Sequence, residues 1–590
     1  MLRSARVVLR LLFCLLLASC AFAQSQPGAD SSSPTASTEL TPEEKQQEVR
    51  KQAGALLEQV LAESKSLSLP QNHITVEQTA LELLWKRDRN RAKALVADMT
   101  GQIIEMENRA EDDSDSTHSA VVYQLRTEII QVLAGLDPGM ALHFLQATRP
   151  STGARDTMER QLEYTLTSKA ASSDPRTALA MAKKSLNDGF SYQLNSIYSS
   201  LSQSDSDAAN ELAEDIVAKL RSQDLATNRQ SWFFALNFLG QVAPQGQGRT
   251  GPRGKLGGAG ASTIAGAPAS QGAQPDPEVA KQLTQLLVAA ASSPNMPQDL
   301  VRGLQPYADV IAEYAPGKAP QIQRQLSQAQ QSADPQVRTW QQFNDVNSRG
   351  SVEDSLAVAA QASPEIRSGM YQQVAWKAAN LGDYLRARQI VLDDISDPLQ
   401  RNQMLREITR QAAFQAASHG NFDLATDLLQ GFTPPEDRAV ALAQIARTAS
   451  SQRQPKTAIR ILEEARALLN SRPENSSQLN ALLQVAQVYG DVAPASGFQI
   501  VEGMTGQLNE LVSAAAMLDG FTPYSRSFES GEMLIHNGYI ADSLLRPFAD
   551  TLAKLAQVDF GRAKAVADSV QPAEARVLVH LHMVKLALVN

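Results

Sequence analysis

Apolar residues recur at helical spacing along most of the chain. Across residues 456–470 they fall at Ala458, Ile461, Leu462, Ala465, Leu468 and Leu469, which lines one helical face. Ala439, Leu442, Ala443, Ala446 and Ala449 do the same just upstream, and Leu479, Leu482, Leu483, Ala486 and Tyr489 just downstream. Three successive helices, each with one apolar stripe, are predicted. Strict alternation of apolar and polar residues is scarce. Residues 577–583 come closest, and they too are predicted helical, because Pro572 and Glu574 make a helix start ahead of them and no partner strand lies nearby.

A short motif recurs between these stripes. Gly382-Asp383-Tyr384-Leu385-Arg386-Ala387 is echoed by Gly420-Asn421-Phe422-Asp423-Leu424-Ala425 and by Gly490-Asp491-Val492-Ala493-Pro494-Ala495, with looser copies ending at Ala458 and Ala563. Counted from the alanine, the steps are 38, 33, 37 and 68 residues, the last being two units. Asp137-Pro138 before Ala141 and Asp174-Pro175 before Ala178 repeat the spacing at 37 in the N-terminal half. A period in the thirties indicates stacked helical hairpins. The motif has a local logic: glycine takes the left-handed conformation that ends one helix, Asp or Asn caps the next, and the small alanine lets the two approach.

A second signature, Pro335 with Arg338, Pro364 with Arg367, Pro398 with Arg401 and Pro435 with Arg438, marks the start of the following hairpin. Proline suits a first helical turn, where its missing N–H is harmless. The arginine is expected to bond the preceding turn, one joint per repeat. The pattern resembles the tetratricopeptide-like and HEAT-like α-solenoid families, over most of residues 350–590 and more weakly over 80–240. That resemblance implies an all-α fold, an α-solenoid of antiparallel helical hairpins.

Residues 1–23 read as a signal peptide, with Arg3, Arg6 and Arg10 ahead of an apolar run from Leu11 to Leu17 that is too short to span a bilayer. Two cleavage readings stand: Ala21-Phe22-Ala23 before Gln24, or the lipobox-like Leu17-Ala18-Ser19-Cys20, which would make Cys20 a lipidation site. Residues 24–42 form a low-complexity linker, 43–243 the N-terminal helical repeats, 244–278 a long disordered Gly/Pro-rich insertion and 279–590 the C-terminal solenoid. The only cysteines are Cys14 and Cys20, so the processed chain has no disulfide, and thiolate metal sites and thiol nucleophiles are excluded.

Composition narrows the function. There are 54 Lys and Arg against 63 Asp and Glu, and three of the arginines lie in the leader, so a general electrostatic grip on nucleic acid is not expected. Gly248–Lys255 fails as a phosphate loop, because Arg249 stands where the first glycine belongs, Leu256 replaces Ser or Thr, and no strand precedes it. Arg249, Arg253 and Lys255 make that insertion locally basic. The acidic run Glu111-Asp112-Asp113-Ser114-Asp115-Ser116 lacks the turn glycine of a calcium loop and reads as a solvated connection. His580 and His582 would point apart on a helix, so one packs and one faces solvent rather than both binding a metal. Trp85, Trp232, Trp340 and Trp376 are spread along the chain and, with Tyr384 and Phe422, read as packing residues.

These observations predict an exported, non-catalytic helical-repeat protein with no catalytic residues, cofactor or metal. It would act as a scaffold or adaptor in the bacterial cell envelope, binding a protein or peptide on the solenoid surface, periplasmic or lipid-anchored through Cys20, with no nucleic-acid partner. The alternative is an all-helical secreted polysaccharide hydrolase or lyase, which requires paired carboxylates and aromatic platforms in one cleft.

Overall fold

The computed structural model describes residues 41–112, 116–150, 156–243, 276–293, 301, 303–331, 335–519, 521, 527–536 and 538–589. The signal segment with Cys20, the linker up to residue 40, Asp113–Asp115 and residues 244–275 lie outside that range. Two units are present, residues 1–48 and 49–590. Of the first, the described part is the opening of a helix, where Thr41 and Glu44 cap one another: the Glu44 carboxylate accepts the Thr41 N–H at 2.8 Å and the Thr41 hydroxyl accepts the Glu44 N–H at 3.3 Å.

The described residues form 26 α-helices. The first group is α1 (Pro42–Ser64), α2 (Pro70–Leu84), α3 (Arg89–Asp112), α4 (Ser116–Leu136), α5 (Pro138–Ala147) and α6 (Asp156–Ala170). Next come α7 (Pro175–Asp188), α8 (Gln193–Ser204), α9 (Ser206–Arg221), α10 (Arg229–Val242), α11 (Pro277–Ala291), α12 (Ala308–Tyr314) and α13 (Ala319–Gln331). They are followed by α14 (Pro335–Arg349), α15 (Val352–Gln361), α16 (Pro364–Asn380), α17 (Tyr384–Asp394) and α18 (Pro398–Ser418). The last group is α19 (Phe422–Leu428), α20 (Pro435–Ser451), α21 (Pro455–Ala467), α22 (Ser476–Val492) and α23 (Pro494–Asp519), then α24 (Arg546–Ala556), α25 (Phe560–Asp568) and α26 (Ala573–Val589). Between α23 and α24 sits a two-residue β-ribbon, β1 (Phe528–Glu529) against β2 (Glu532–Met533), antiparallel, with Phe528 opposite Met533. The fold is thus all-α, an α-solenoid of helical hairpins, and residues 577–583 are helical as their flanks predict.

One rule places the hairpins. From α3 to α25, every odd-numbered helix except α13 carries a small buried residue four positions after its N-cap. These are Ala92, Ala141, Ala178, Ala209, Ala280, Ser355, Ala387, Ala425, Ala458, Gly497 and Ala563. Asp88, Asp137, Asp174, Asp205, Asp276, Ser351, Asp383, Asn421 and Asp559 supply the caps, each accepting a backbone N–H in the first turn. The cap fixes where the helix begins, and one turn later a side chain no larger than Ser or Ala admits the neighbouring helix. Gly382 and Gly420 end α16 and α18 at φ +86° and +80°, as a left-handed terminus requires. In the next copy Arg453 holds that place at φ +61°.

The third copy of the motif departs from the expectation. Gly490 does not end a helix; α22 runs through it to Val492, and the next helix is entered through Ala493. The register therefore moves by two residues, which leaves Ala495 exposed and puts Gly497 in the buried small position. Both glycines serve close approach here. A Cβ on Gly490 would meet the Leu555 side chain at 3.2 Å, and one on Gly497 would meet the Ala486 carbonyl at 2.8 Å and Leu555 at 3.0 Å. Asp491, freed from capping, pairs with Lys554 at 3.1 Å.

Stacking is visible in bonds between each helix and the next but one. Lys219 in α9 reaches the Asn187 carbonyl at the end of α7 at 2.9 Å, and Lys377 in α16 reaches the Gly350 carbonyl after α14 at 2.6 Å. Gln452 after α20 donates to Ala417 and Ser418 at the end of α18, at 3.2 and 3.0 Å. Each bond satisfies carbonyls that a helix C-terminus leaves without an internal partner. Ion pairs follow the same step, Arg386 to Glu353 at 3.3 Å and Arg460 to Asp423 at 2.8 Å. Being exposed, each of these is worth at most about 1 kcal/mol. The expected arginine joint is present at Arg367, which donates to the Ala362 carbonyl at 3.0 and 2.7 Å; Arg438 reaches the preceding Gln430 carbonyl only at 3.5 Å and binds Glu464 of the following helix instead, and the turn before Arg338 lies outside the described residues.

Within residues 49–590 the last helices pack on the first. Buried residues of α1–α6 and of α18–α26 belong to one continuous core, whereas α6–α13 and α14–α18 form cores of their own. At the seam α26 lies against α2. Glu532 of β2 accepts from the Leu69 N–H at 3.2 Å and from Asn72 Nδ2 at 2.7 Å, and it also takes the Ser68 N–H. Leu69 is the N-cap residue of α2 and has no capping side chain, so a carboxylate from far along the sequence supplies the cap. Asn72 in turn donates to the Met533 carbonyl at 2.8 Å and accepts the Ile535 N–H at 2.9 Å. Arg576 binds Glu63, Lys585 pairs with Glu82 at 3.4 Å, and Arg87 donates to the Leu588 carbonyl at 2.6 Å.

Two glycines of α23 separate close packing from helix propensity. Gly497→Ala is expected to lose about 1–3 kcal/mol through overpacking. Gly503→Ala, whose Cβ would meet nothing within 4 Å, should gain about 0.5–1 kcal/mol. Urea unfolding midpoints of the two variants check both signs.

Candidate functional surface

The residues singled out for chemistry are dispersed among the helices. Glu111 and Asp112 end α3 and Ser116 begins α4, with Asp113–Asp115 between them outside the described residues. Arg249, Arg253 and Lys255 also fall outside. His580 is fully buried in α26, while His582 is half-buried and held by Asp550 at 2.7 Å, so the two rings diverge as helical spacing requires. His73 bonds the Leu67 carbonyl at 2.7 Å. No group of three or more His, Cys, Asp or Glu side chains that could hold a metal occurs among the described residues.

The tryptophans pack between helices. Trp85 and Trp232 are buried, the first beneath the Arg89 guanidinium at 4.6 Å; Trp340 meets Phe343 edge-on at 5.7 Å, and Trp376 is half-buried in the same core. Tyr384 lies half-buried against that core and Phe422 is buried.

Two open depressions mark the C-terminal hairpins. One, of about 410 Å³, is lined by Ile459, Glu463, Arg466, Ala467, Tyr489 and Ser496. The other, of about 640 Å³, runs from Asn470 to Glu474 beside Gln507. Each offers a single carboxylate, and only the first has an aromatic ring. Neither gathers the paired carboxylates and aromatic platforms that glycoside cleavage requires.

Three polar clusters, two buried and one half-buried, lie in the first group of helices and at the seam. Arg126 of α4, 1% exposed, forks onto Glu159 of α6 at 2.6 and 3.3 Å and donates to Thr148 at 3.1 Å; Glu107 of α3 stands 3.9 Å away. It ties three helices together, and removing one partner would strand a buried charge. His536 donates from Nε2 to Glu128 at 2.9 Å. Its Nδ1 lies 3.2 Å from an Arg546 guanidinium nitrogen. Burial works to raise the Glu128 pKa, but the hydrogen bond and charge of His536, with Gln124 and Arg546, outweigh it and hold the carboxyl below its ordinary value. Glu77 of α2 is the opposite case: burial first, then the charge of Asp98, pushes it up to about 7 against one hydrogen bond from Gln102 at 2.9 Å.

The exposed apolar side chains are more unusual than these clusters. Leu381, Leu385, Leu392, Leu399 and Leu424 are 71%, 83%, 47%, 75% and 47% exposed, all within α16–α19 and the turns joining them. Leu385 and Leu392 lie seven residues apart on the outer face of α17, opposite the buried Ala387, Ile390 and Val391. A second group, Met517, Leu518 and Phe521, stands out at the end of α23. Sequence reasoning missed both groups. Leu385 and Leu424 sit inside the hairpin motif, and only their distance from the cap shows that they point outward.

No family model and no curated protein matches the chain. Among solved structures, a circular tandem repeat protein with novel repeat topology and enhanced subunit contact surfaces aligns over 90% of this chain and 98% of its own, at 12% identity and a TM-score of 0.14, a likeness that carries no argument. The helices and their stacking define the class by themselves: this is a helical-repeat protein.

Glu77 yields a pH prediction. It binds its proton more tightly folded than unfolded, so its contribution is fully present below pH 4.5 and is lost as pH rises through about 7. Glu77→Gln should therefore be more stable than the natural chain at pH 8, with the gap closing toward pH 5. Thermal unfolding at the two pH values measures it.

Proposed function

We propose that the chain is an exported, non-catalytic scaffold or adaptor of a bacterial cell envelope, of the tetratricopeptide-like or HEAT-like kind, which docks a protein or peptide on α16–α19. The observation that carries this reading is the set of five leucines left in water between Leu381 and Leu424. Covering one leucine is worth about 1.5–3 kcal/mol, so a partner that seats two or three has a sufficient apolar anchor. Hairpins suit this task because their cores are filled by stripes facing neighbouring helices, leaving turns and outer faces free to vary. Export is supported by the arginine-led apolar leader, and attachment to a membrane would run through Cys20.

The test is a double variant, Leu385→Arg with Leu399→Arg, both at exposed sites. Envelope extract passed over the immobilised chain should yield a captured protein whose retention falls at least tenfold with the variant, while the helical circular dichroism and melting curve stay unchanged. Equal retention by both chains would remove the leucines from the interface. The mass of the mature N-terminus decides separately between cleavage before Gln24 and an acylated Cys20.

A further inference from the structure

His580 lies on α26 one turn after Arg576, which binds Glu63 of α1. It is fully buried. Neither ring nitrogen has a hydrogen-bond partner. Asp568 Oδ1 of α25 lies 3.1 Å from Nε2 but off the hydrogen-bonding direction, and that carboxylate is already held by Lys564 at 2.9 and 2.8 Å.

The other charges around α26 are also committed. Glu63 of α1 is taken by Arg576, one turn before His580; Glu82 of α2 by Lys585; Asp550 of α24 by His582. Glu532 of β2 caps α2, Glu574 accepts the Met533 N–H at 3.1 Å, and Asp542, in the turn before α24, pairs with Arg546 at 3.0 Å. Lys564 and Arg576 are the cations closest in effect. A proton on His580 would thus add a buried charge beside two cations, and the nearest carboxylate, Asp568, is already shared with Lys564. Such a charge is expelled rather than tolerated.

We propose that His580 is a proton-operated release for the seam: the neutral imidazole seats α26 against α1 and α2, and protonation unseats it, parting the end of the chain from its beginning. Burial, the leading effect, holds its pKa below the ordinary histidine value, against the opposing charge of Asp568. The seam therefore keeps its full stability above about pH 6.5 and loses it as pH falls below that value toward the folded pKa. Glu77 on α2 shifts the other way and cannot produce the same loss. The inference does not depend on the docking role.

The experiment is amide hydrogen exchange of the full chain at pH 7.5 and 5.0, corrected for intrinsic rates, following peptides from α2 and α26. Protection there should drop at least tenfold at the lower pH in the natural chain and stay level in His580→Leu, while His582→Leu behaves like the natural chain. A natural chain with level protection, or a His580→Leu chain that loses as much, overturns the proposal. Should His580→Leu fail to fold, deuterium exchange at the imidazole C2 position of the natural chain decides. His580 must titrate below the ordinary histidine value of about 6.5, and an ordinary midpoint refutes the release.

Discussion

The close approach of the odd-numbered helices from α3 to α25, α13 excepted, to their neighbours, through a small buried residue four positions after the N-cap, is the constraint on which the array depends. In nine of these eleven helices a side-chain cap sets the helix start, so the following turn is delivered to the same place. The tolerance is strict because no soft side chain intervenes. At Gly497 even a methyl group would press on the Ala486 carbonyl at 2.8 Å. When the preceding helix lengthens by half a turn, as α22 does, the small residue moves with the cap and the packing is kept. The geometry is conserved within the molecule while the sequence motif is not.

Stacking then follows from unfinished helix ends. The last carbonyls of one helix have no internal partner, and a lysine or glutamine two helices later bonds them. Such bonds need like helices to lie side by side with ends in register, which the caps provide. Surface ion pairs run along the same step but contribute little by comparison. Apolar stripes supply the bulk of the stabilisation, and the leucines left in water lie on turns and outer faces.

Much of this architecture is legible in the sequence because it is local. Cap, proline and small residue lie within five positions, and the stripes on α20, α21 and α22 appear as periodicity. The left-handed role given to Gly490 was the error, since the same letter answers two needs: a positive φ at Gly382 and Gly420, and proximity to Leu555 at Gly490. Long-range partners were illegible. Nothing near Glu532 reveals that it caps α2, and nothing in residues 577–583 shows that His580 lacks a partner. The outward leucines escaped for a related reason, because Leu385 stands in the same apolar motif as residues that are buried.

The seam has a bearing on biosynthesis. The Glu532 carboxylate and the Ser68 amide it binds are 464 residues apart, and α26 ends later still. At about 5–20 residues per second, α1 and α2 wait on the order of half a minute to a minute and a half after they emerge before their cover is made. During that interval the face of α2 that α26 finally covers stays bare. A nascent chain of this design spends its growth with one sticky flank bare, so its yield in the cell depends on whatever shields that flank until the last helix arrives.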